Sequence, residues 1–332
     1  MKLWFFTTLI VCAAFARSEA IPPNILFLLA DDLRADALGC AGNKIVQTPN
    51  IDALARRGTM FRNAFVTTSI CCVSRASILS GQYARRHGIE DFKTPFTRTQ
   101  WSNTYPVLLR ASGFRTGFIG KFGVGEIMPT NAFDYWDGFP GQGRYFKTND
   151  PVHLTHKIGD SALKFLRARD ERPFCLSISF KAPHVQDENL VRPFPPDAVD
   201  EPLYRAARIP VPANYSPEAY ARLPDFVRQS EGHTRFLRRF PDVKTREQNV
   251  KDYYRLITGM DREIGRIVET LRELGLSDNT LVVFTSDNGF FLGERGLADK
   301  FLMFEESIRV PLIVFDPTTR KRFVRKNVMR WS

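Results

Sequence analysis

Residues 24–30, Asn-Ile-Leu-Phe-Leu-Leu-Ala, form one continuous, almost wholly apolar run that stops at two carboxylates, Asp31 and Asp32. A run without period-two alternation reads as a strand buried on both faces, the habit of a parallel sheet covered by helices. Residues 114–120, 174–180, 280–286 and 310–315 repeat the pattern. Helical patterns lie between them: 50–57 behind Pro49 with Asn50 as N-cap, 74–81 closing on Gly81, 106–112 opening on Pro106, 156–169, and a long one over 244–275. On the last, Tyr253, Leu256, Ile257, Met260, Ile264, Ile267 and Leu271 fall at helical spacing and read as core. Strands alternating with helices predict an α/β fold with a doubly wound, mostly parallel sheet. Its site belongs beyond the carboxyl ends of the strands, where Asp31-Asp32 and Asp287-Asn288 can meet.

The net charge of +11 is unevenly spread: residues 1–20 carry +1 and the last fifteen carry +6, leaving +4 for the body at 21–317. That excludes a basic shell for nucleic acid but leaves room for a local site that takes an anion. Lys2, the apolar run 3–15 and Ser18-Glu19-Ala20 read as a signal peptide cleaved after Ala20. The chain is thus expected to be exported, periplasmic or secreted. A membrane span is disfavoured because the run is shorter than the roughly 20 residues a bilayer needs. Residues 318–332, basic and without acids, are expected to be a disordered tail.

Two stretches, 128–151 and 187–232, lack a period and are rich in Gly, Asn, Pro, Arg or aromatics; long loops of this kind in a compact domain are usually functional. The paired Asp31-Asp32 and Asp287-Asn288 offer hard oxygens that suit Ca²⁺ or Mg²⁺. Cys71, in Cys71-Cys72-Val73-Ser74-Arg75, sits at the start of a predicted helix, where the N-terminal dipole lowers a thiol's pKa; a buried structural cysteine is the alternative. His87 reads as a helix-end cap, and Cys175, with Ser177 and Ser179, as a small-residue face for helix packing.

Taken in order, these motifs resemble the N-terminal catalytic domain of the type I sulfatases, on the alkaline-phosphatase-like fold. Their signature, Cys-x-Pro-Ser-Arg followed by Leu-Thr-Gly, reads here as Cys71-Cys72-Val73-Ser74-Arg75 and Leu79-Ser80-Gly81. Thr48-Pro49-Asn50, Gly120-Lys121-Phe122, Ala182-Pro183-His184, Ser286-Asp287-Asn288-Gly289 and residues 300–311 extend the match over about residues 23 to 317. The resemblance implies that Cys71 is oxidised to formylglycine by a maturation enzyme, and that one hydroxyl of its hydrate attacks sulfur while the other later expels sulfate. It implies that Asp31, Asp32, Asp287, Asn288 and the modified Cys71 hold a divalent ion, Ca²⁺ or alternatively Mg²⁺. Arg75 is implied to hold the nucleophile and the carboxylates, Lys121 and Lys300 to grip sulfate oxygens, and His184 to stand near the leaving oxygen as general acid.

The implied activity is hydrolysis of sulfate esters. The eight arginines between Val191 and Phe240, interleaved with aromatics, suit a sulfated carbohydrate. The stretch from Lys251 to Asp261 is similar to exported bacterial sulfatases of the glucosamine-6-sulfatase group. Two other readings stand beside it: a phosphomonoester or phosphonate hydrolase of the same superfamily, and an inactive, truncated polyanion-binding homologue. The pattern departs from the family at Val73, in place of proline, and at Gly123, in place of a frequent histidine. Members also continue past residue 317 into a smaller C-terminal subdomain, so this one is expected to be absent or truncated.

Overall fold

The computed structural model describes residues 22–168 and 170–319, and the backbone of 323–330. The run at 24–30 becomes β1 (Asn24–Asp31), the centre of an eight-stranded mixed sheet. The other strands are β2 (Thr59–Phe65), β3 (Arg115–Lys121), β4 (Tyr135–Phe139), β5 (Phe174–Pro183) and β6 (Thr280–Ser286), then a small hairpin of β7 (Phe291–Leu292) and β8 (Ala298–Asp299), then β9 (Arg309–Phe315) and β10 (Phe323–Arg330). The sheet order is β10-β2-β9-β6-β1-β5-β3-β4. Strands β6, β1, β5, β3 and β4 run parallel, so their carboxyl ends share one edge.

Residues 310–315 were expected to join this parallel set, but β9 runs antiparallel to both β6 and β2. The reason is topological. The segment after β6 stays at the carboxyl edge, where it supplies Asp287, Asn288 and Lys300, so the next strand starts there and must run back down. Strands β2 and β4 escape a reading based on apolar runs because Arg62, Asn63, Asp137 and Gly138 interrupt them. The tail also differs from expectation. Residues 323–330 form β10, parallel to β2 from Phe323 opposite Thr59 to Arg330 opposite Phe65. A backbone ladder needs no particular side chain, and Phe323, Val324, Val328 and Met329 are compatible with a strand despite the flanking charge. The leader at 1–20 lies outside the described residues.

The larger core packs the sheet against the helices Leu154–Arg167 and Val243–Glu273. All seven apolar residues expected on the long helix are buried, from Tyr253 to Leu271, each contributing about 1.5–3 kcal/mol by removal from water. On the opposite face Ala76 and Leu79 meet Phe118 and Phe122. Among the described residues no helix is long and apolar enough to cross a membrane.

One cap departs from the sequence reading. The helix α1 (Pro49–Arg57) has Thr48, not Asn50, at its N-cap, and the Thr48 side chain makes no capping bond. The buried Asp261 of the long helix does that work: its carboxylate accepts from the N–H of Asn50 at 3.2 Å and of Ile51 at 2.7 Å, and from Asn50 Nδ2 at 2.8 Å. Asp261→Ala strands these donors and is expected to destabilise the fold by about 2 kcal/mol. Urea denaturation checks this; an unchanged midpoint would show that water replaces the carboxylate.

Candidate active site

The nucleophile candidate opens the helix α2 (Cys71–Ser80), which ends at Gly81 in the left-handed conformation. Cys71 is wholly buried. Its Sγ lies 3.5 Å from Asp31 Oδ1 and 3.4 Å from Asn288 Nδ2. Burial pushes the Cys71 thiol up from its ordinary value, against the pull of Lys121 and Lys300. The unmodified side chain is therefore a protonated thiol and a poor nucleophile.

One turn along α2, Arg75 is the hinge of the site. Its Nε donates to Asp287 Oδ2 at 2.7 Å, and its Nη1 to the Lys121 carbonyl and to Ser179 Oγ, both at 2.6 Å. Nη2 lies 3.4 Å from Asp31 Oδ2. The small-residue face of β5 thus anchors polar groups: Ser179 holds Arg75, and Ser177 Oγ lies 2.7 Å from the Tyr105 hydroxyl.

The strand ends supply the rest. Asp31 closes β1, and Asp32 follows in the left-handed region at φ 65°, which aspartate tolerates better than most residues. Asp287 Oδ1 accepts from the Asp32 backbone N–H at 3.1 Å. Lys121 Nζ sits 2.5 Å from Asp31 Oδ2, and Lys300 Nζ donates to both Asp32 oxygens at 2.7 and 2.5 Å. Burial opposes ionisation of Asp31, but Lys121, Arg75 and Lys300 outweigh it and hold this carboxyl well below the usual range. Burial pushes Asp32 up to about 7 despite Lys300, with Asp31 and Asp287 adding to the rise. His184 Nδ1 donates to the Val185 carbonyl at 2.6 Å, which turns Nε2 to within 3.5 Å of Asp32 Oδ2.

Every residue expected at the site is buried at this one edge. The donor set also fits a divalent cation. Ligand atoms of Asp31, Asp32, Cys71 and His184 lie within 4.8 Å of one another. Asn288 Oδ1 is buried without a hydrogen-bond partner, as a carbonyl oxygen reserved for a cation would be. Asp287 stands somewhat apart from that group, because Arg75 and the Asp32 N–H engage its two oxygens.

The histidine absent at position 123 has a steric counterpart. Gly123 adopts φ +73°, and a Cβ there would lie 2.8 Å from Arg75 Cδ. Glycine lets the guanidinium stem pass. Gln142, from the irregular 128–151 stretch, reaches the same neighbourhood, its Oε1 accepting from Lys121 Nζ at 2.6 Å. No pattern in the sequence marks Gln142, nor the buried Lys181 beside His184, which burial brings down to about 8. The arginine-rich stretch is less open than expected: Arg192, Arg228, Arg235 and Arg239 are already paired with carboxylates of the chain itself. His87 is structural as read, with Nε2 3.1 Å from Ser77 Oγ and Nδ1 accepting from the Ile89 N–H. Cys40, Cys71, Cys72 and Cys175 are all free thiols.

The family model described as "Sulfatase" matches residues 23–330. The N-acetylglucosamine-6-O-sulfatase of Bacteroides thetaiotaomicron is 31% identical over 93% of this chain and 66% of its own length. Human N-sulphoglucosamine sulphohydrolase is 31% identical over 92% of this chain and 57% of its own length. The chain therefore spans just under two thirds of the first relative and little more than half of the second. A solved structure of a protein in complex with its substrate D-glucosamine-2-N,6-O-disulfate superposes with a TM-score of 0.77 at 27% identity, covering 94% of this chain and 74% of that one. The phosphonate monoester hydrolase of Agrobacterium radiobacter shares the fold, with a TM-score of 0.67 at 20% identity over 93% of this chain and 71% of that one. A family model matched along residues 23–330, together with the likeness in fold and sequence, shows that this protein belongs to the sulfatase family of the alkaline-phosphatase-like superfamily.

Proposed function

We propose that the chain hydrolyses sulfate esters of a carbohydrate, and that a 6-O-sulfated glucosamine unit is its preferred substrate. The observation that carries the reading is the buried Cys71 thiol, held between Asp31 and Asn288 and ringed by Arg75, Lys121 and Lys300. Three cations around one small buried side chain suit an anionic group with several oxygens. The sugar assignment draws on the relatives named above, and export on the leader.

Each residue has a definable task. Lys121 and Lys300, now on Asp31 and Asp32, are placed to transfer N–H donors to sulfate oxygens as charge grows there. Arg75 keeps position 71 and Asp287 in register. His184, with its Nδ1 hydrogen committed to the Val185 carbonyl, presents Nε2 to the leaving oxygen and would act as general acid once Nε2 has taken up a proton. Asp31, Asp32, Asn288 and Asp287 would hold a divalent cation, Ca²⁺ or Mg²⁺, which polarises a sulfate oxygen when bound. Formylglycine, made from Cys71 by a separate maturation enzyme, would supply a hydrated aldehyde as nucleophile.

The test joins two measurements on one preparation. The protein expressed with a maturation enzyme is expected to release sulfate from N-acetylglucosamine-6-sulfate in the presence of Ca²⁺. The peptide containing Cys71 is expected to have lost S and two H and gained one O. Release of phosphate or phosphonate without sulfate would move the assignment to the phosphorus-ester branch. An unmodified Cys71 in an active preparation would overturn the nucleophile.

A further inference from the structure

Lys181 lies three residues before His184 and is only 1% exposed. The chemistry above does not use it. Burying an ammonium group is costly unless it is compensated; Asp31, Asp187 and Asp32 favour its charge from a distance, while its direct contacts are a carbonyl and a ring. Nζ donates to the Val185 carbonyl at 3.0 Å and lies 5.1 Å from the centroid of Tyr145. That carbonyl also accepts from His184 Nδ1, at 2.6 Å. A carbonyl can only accept, so Nδ1 carries a hydrogen and Nε2 is left to face the site.

The surrounding turn is tied from both sides. The His184 backbone N–H donates to the Lys181 carbonyl at 2.9 Å, and the Tyr145 hydroxyl donates to the His184 carbonyl at 2.7 Å. Tyr145 is itself fixed by stacking on His153, with ring centroids 4.9 Å apart. Lys181 and His184 thus share one oxygen at the centre of a closed turn.

We propose that Lys181 is a positioning residue for His184: its ammonium pins the Val185 carbonyl, which sets the ring orientation and tautomer that aim Nε2 at the leaving oxygen. The proposal rests on the reading of His184 as general acid. In that step the sulfur–oxygen bond breaks with its electron pair on the leaving oxygen. The neutral ring carries no hydrogen on Nε2, so His184 must first take up a proton there from solvent; as the imidazolium it then gives that Nε2 hydrogen to the leaving oxygen. The ring is left neutral with its remaining hydrogen on Nδ1, the form the Val185 carbonyl already holds.

Leaving-group dependence tests this. A sugar alkoxide needs the proton; 4-nitrophenolate does not. His184→Ala is expected to lower kcat/KM on N-acetylglucosamine-6-sulfate by about 10²-fold or more, and far less on 4-nitrophenyl sulfate. Lys181→Met is expected to copy that split, with a loss of about tenfold on the sugar and under about twofold on the aryl ester. Lys181→Gln, which keeps a donor, is expected to regain part of the loss, and serves as the test variant if the Met variant fails to fold. Equal loss on both substrates would make Lys181 merely structural and overturn the proposal. A split in His184→Ala but not in the Lys181 variants would overturn it alone. No split in His184→Ala would overturn the general-acid reading and the proposal with it.

Discussion

Cys71→Ala is expected to abolish the proposed sulfate-ester turnover, by at least about three orders of magnitude, while leaving a folded protein. The expected size follows from the proposed covalent catalysis: without the nucleophile only binding and electrostatic terms would remain. Folding survives because a single buried Sγ is lost and the contacts of Arg75 are untouched. Cys72→Ala, one residue along α2, is the matched comparison. Cys72 is equally buried, yet among the described residues no side-chain hydrogen bond joins its thiol to the site. Its activity is expected within about threefold of the parent, a change worth under 1 kcal/mol of barrier. Steady-state assays on 4-nitrophenyl sulfate, with melting curves on both variants, check the pair. Equal losses would mean that the two cysteines matter only for packing.

Asp287→Ala carries a double penalty. The carboxylate accepts from Arg75 Nε and from the Asp32 N–H, both buried. Removing one partner of a buried charge pair destabilises by about 3–5 kcal/mol. It also takes away a proposed cation ligand, so the variant is expected to lose activity beyond detection. The two effects separate in a melting experiment with and without Ca²⁺. An ion present at about 100 times its Kd stabilises a folded protein by about 2.7 kcal/mol. The parent should therefore melt higher in Ca²⁺ than in EDTA, and the variant should melt at one lower temperature in both. A variant that keeps the full Ca²⁺-dependent shift would remove Asp287 from the ligand set.

Much of this was legible in the sequence, for identifiable reasons. Strands buried on both faces, such as β1 and β6, announce themselves as apolar runs, and carboxylates that follow two of them directly are conspicuous. Lys121, His184 and Lys300 were legible only through the family motifs, since a lone lysine or histidine has no local signature of burial. Gln142 and Lys181 were not legible at all. Each is defined by a partner that the fold brings near, Lys121 for one and the Val185 carbonyl for the other. The direction of β9 was hidden too, because an apolar run states that a strand is buried but not which way it points. Asp261 shows the same limit in a helix: its capping role depends on a helix some two hundred residues earlier in the chain.

The central place of β1 fixes a timetable for synthesis. It is the first described strand to emerge, yet its neighbours are β5 and β6, so its ladder closes only once the chain has been made as far as Ser286. At about 5–20 residues per second, that leaves an apolar strand incompletely paired for roughly 10–50 s. Over the same interval α2 has no Asp287, Asn288 or Lys300 to cover it, and Cys71 stays open to solvent and to any enzyme that modifies it. Closure of the sheet then seals the position completely. On the proposed maturation, topology sets the order of events: Cys71 would have to be modified while the nascent chain is still open.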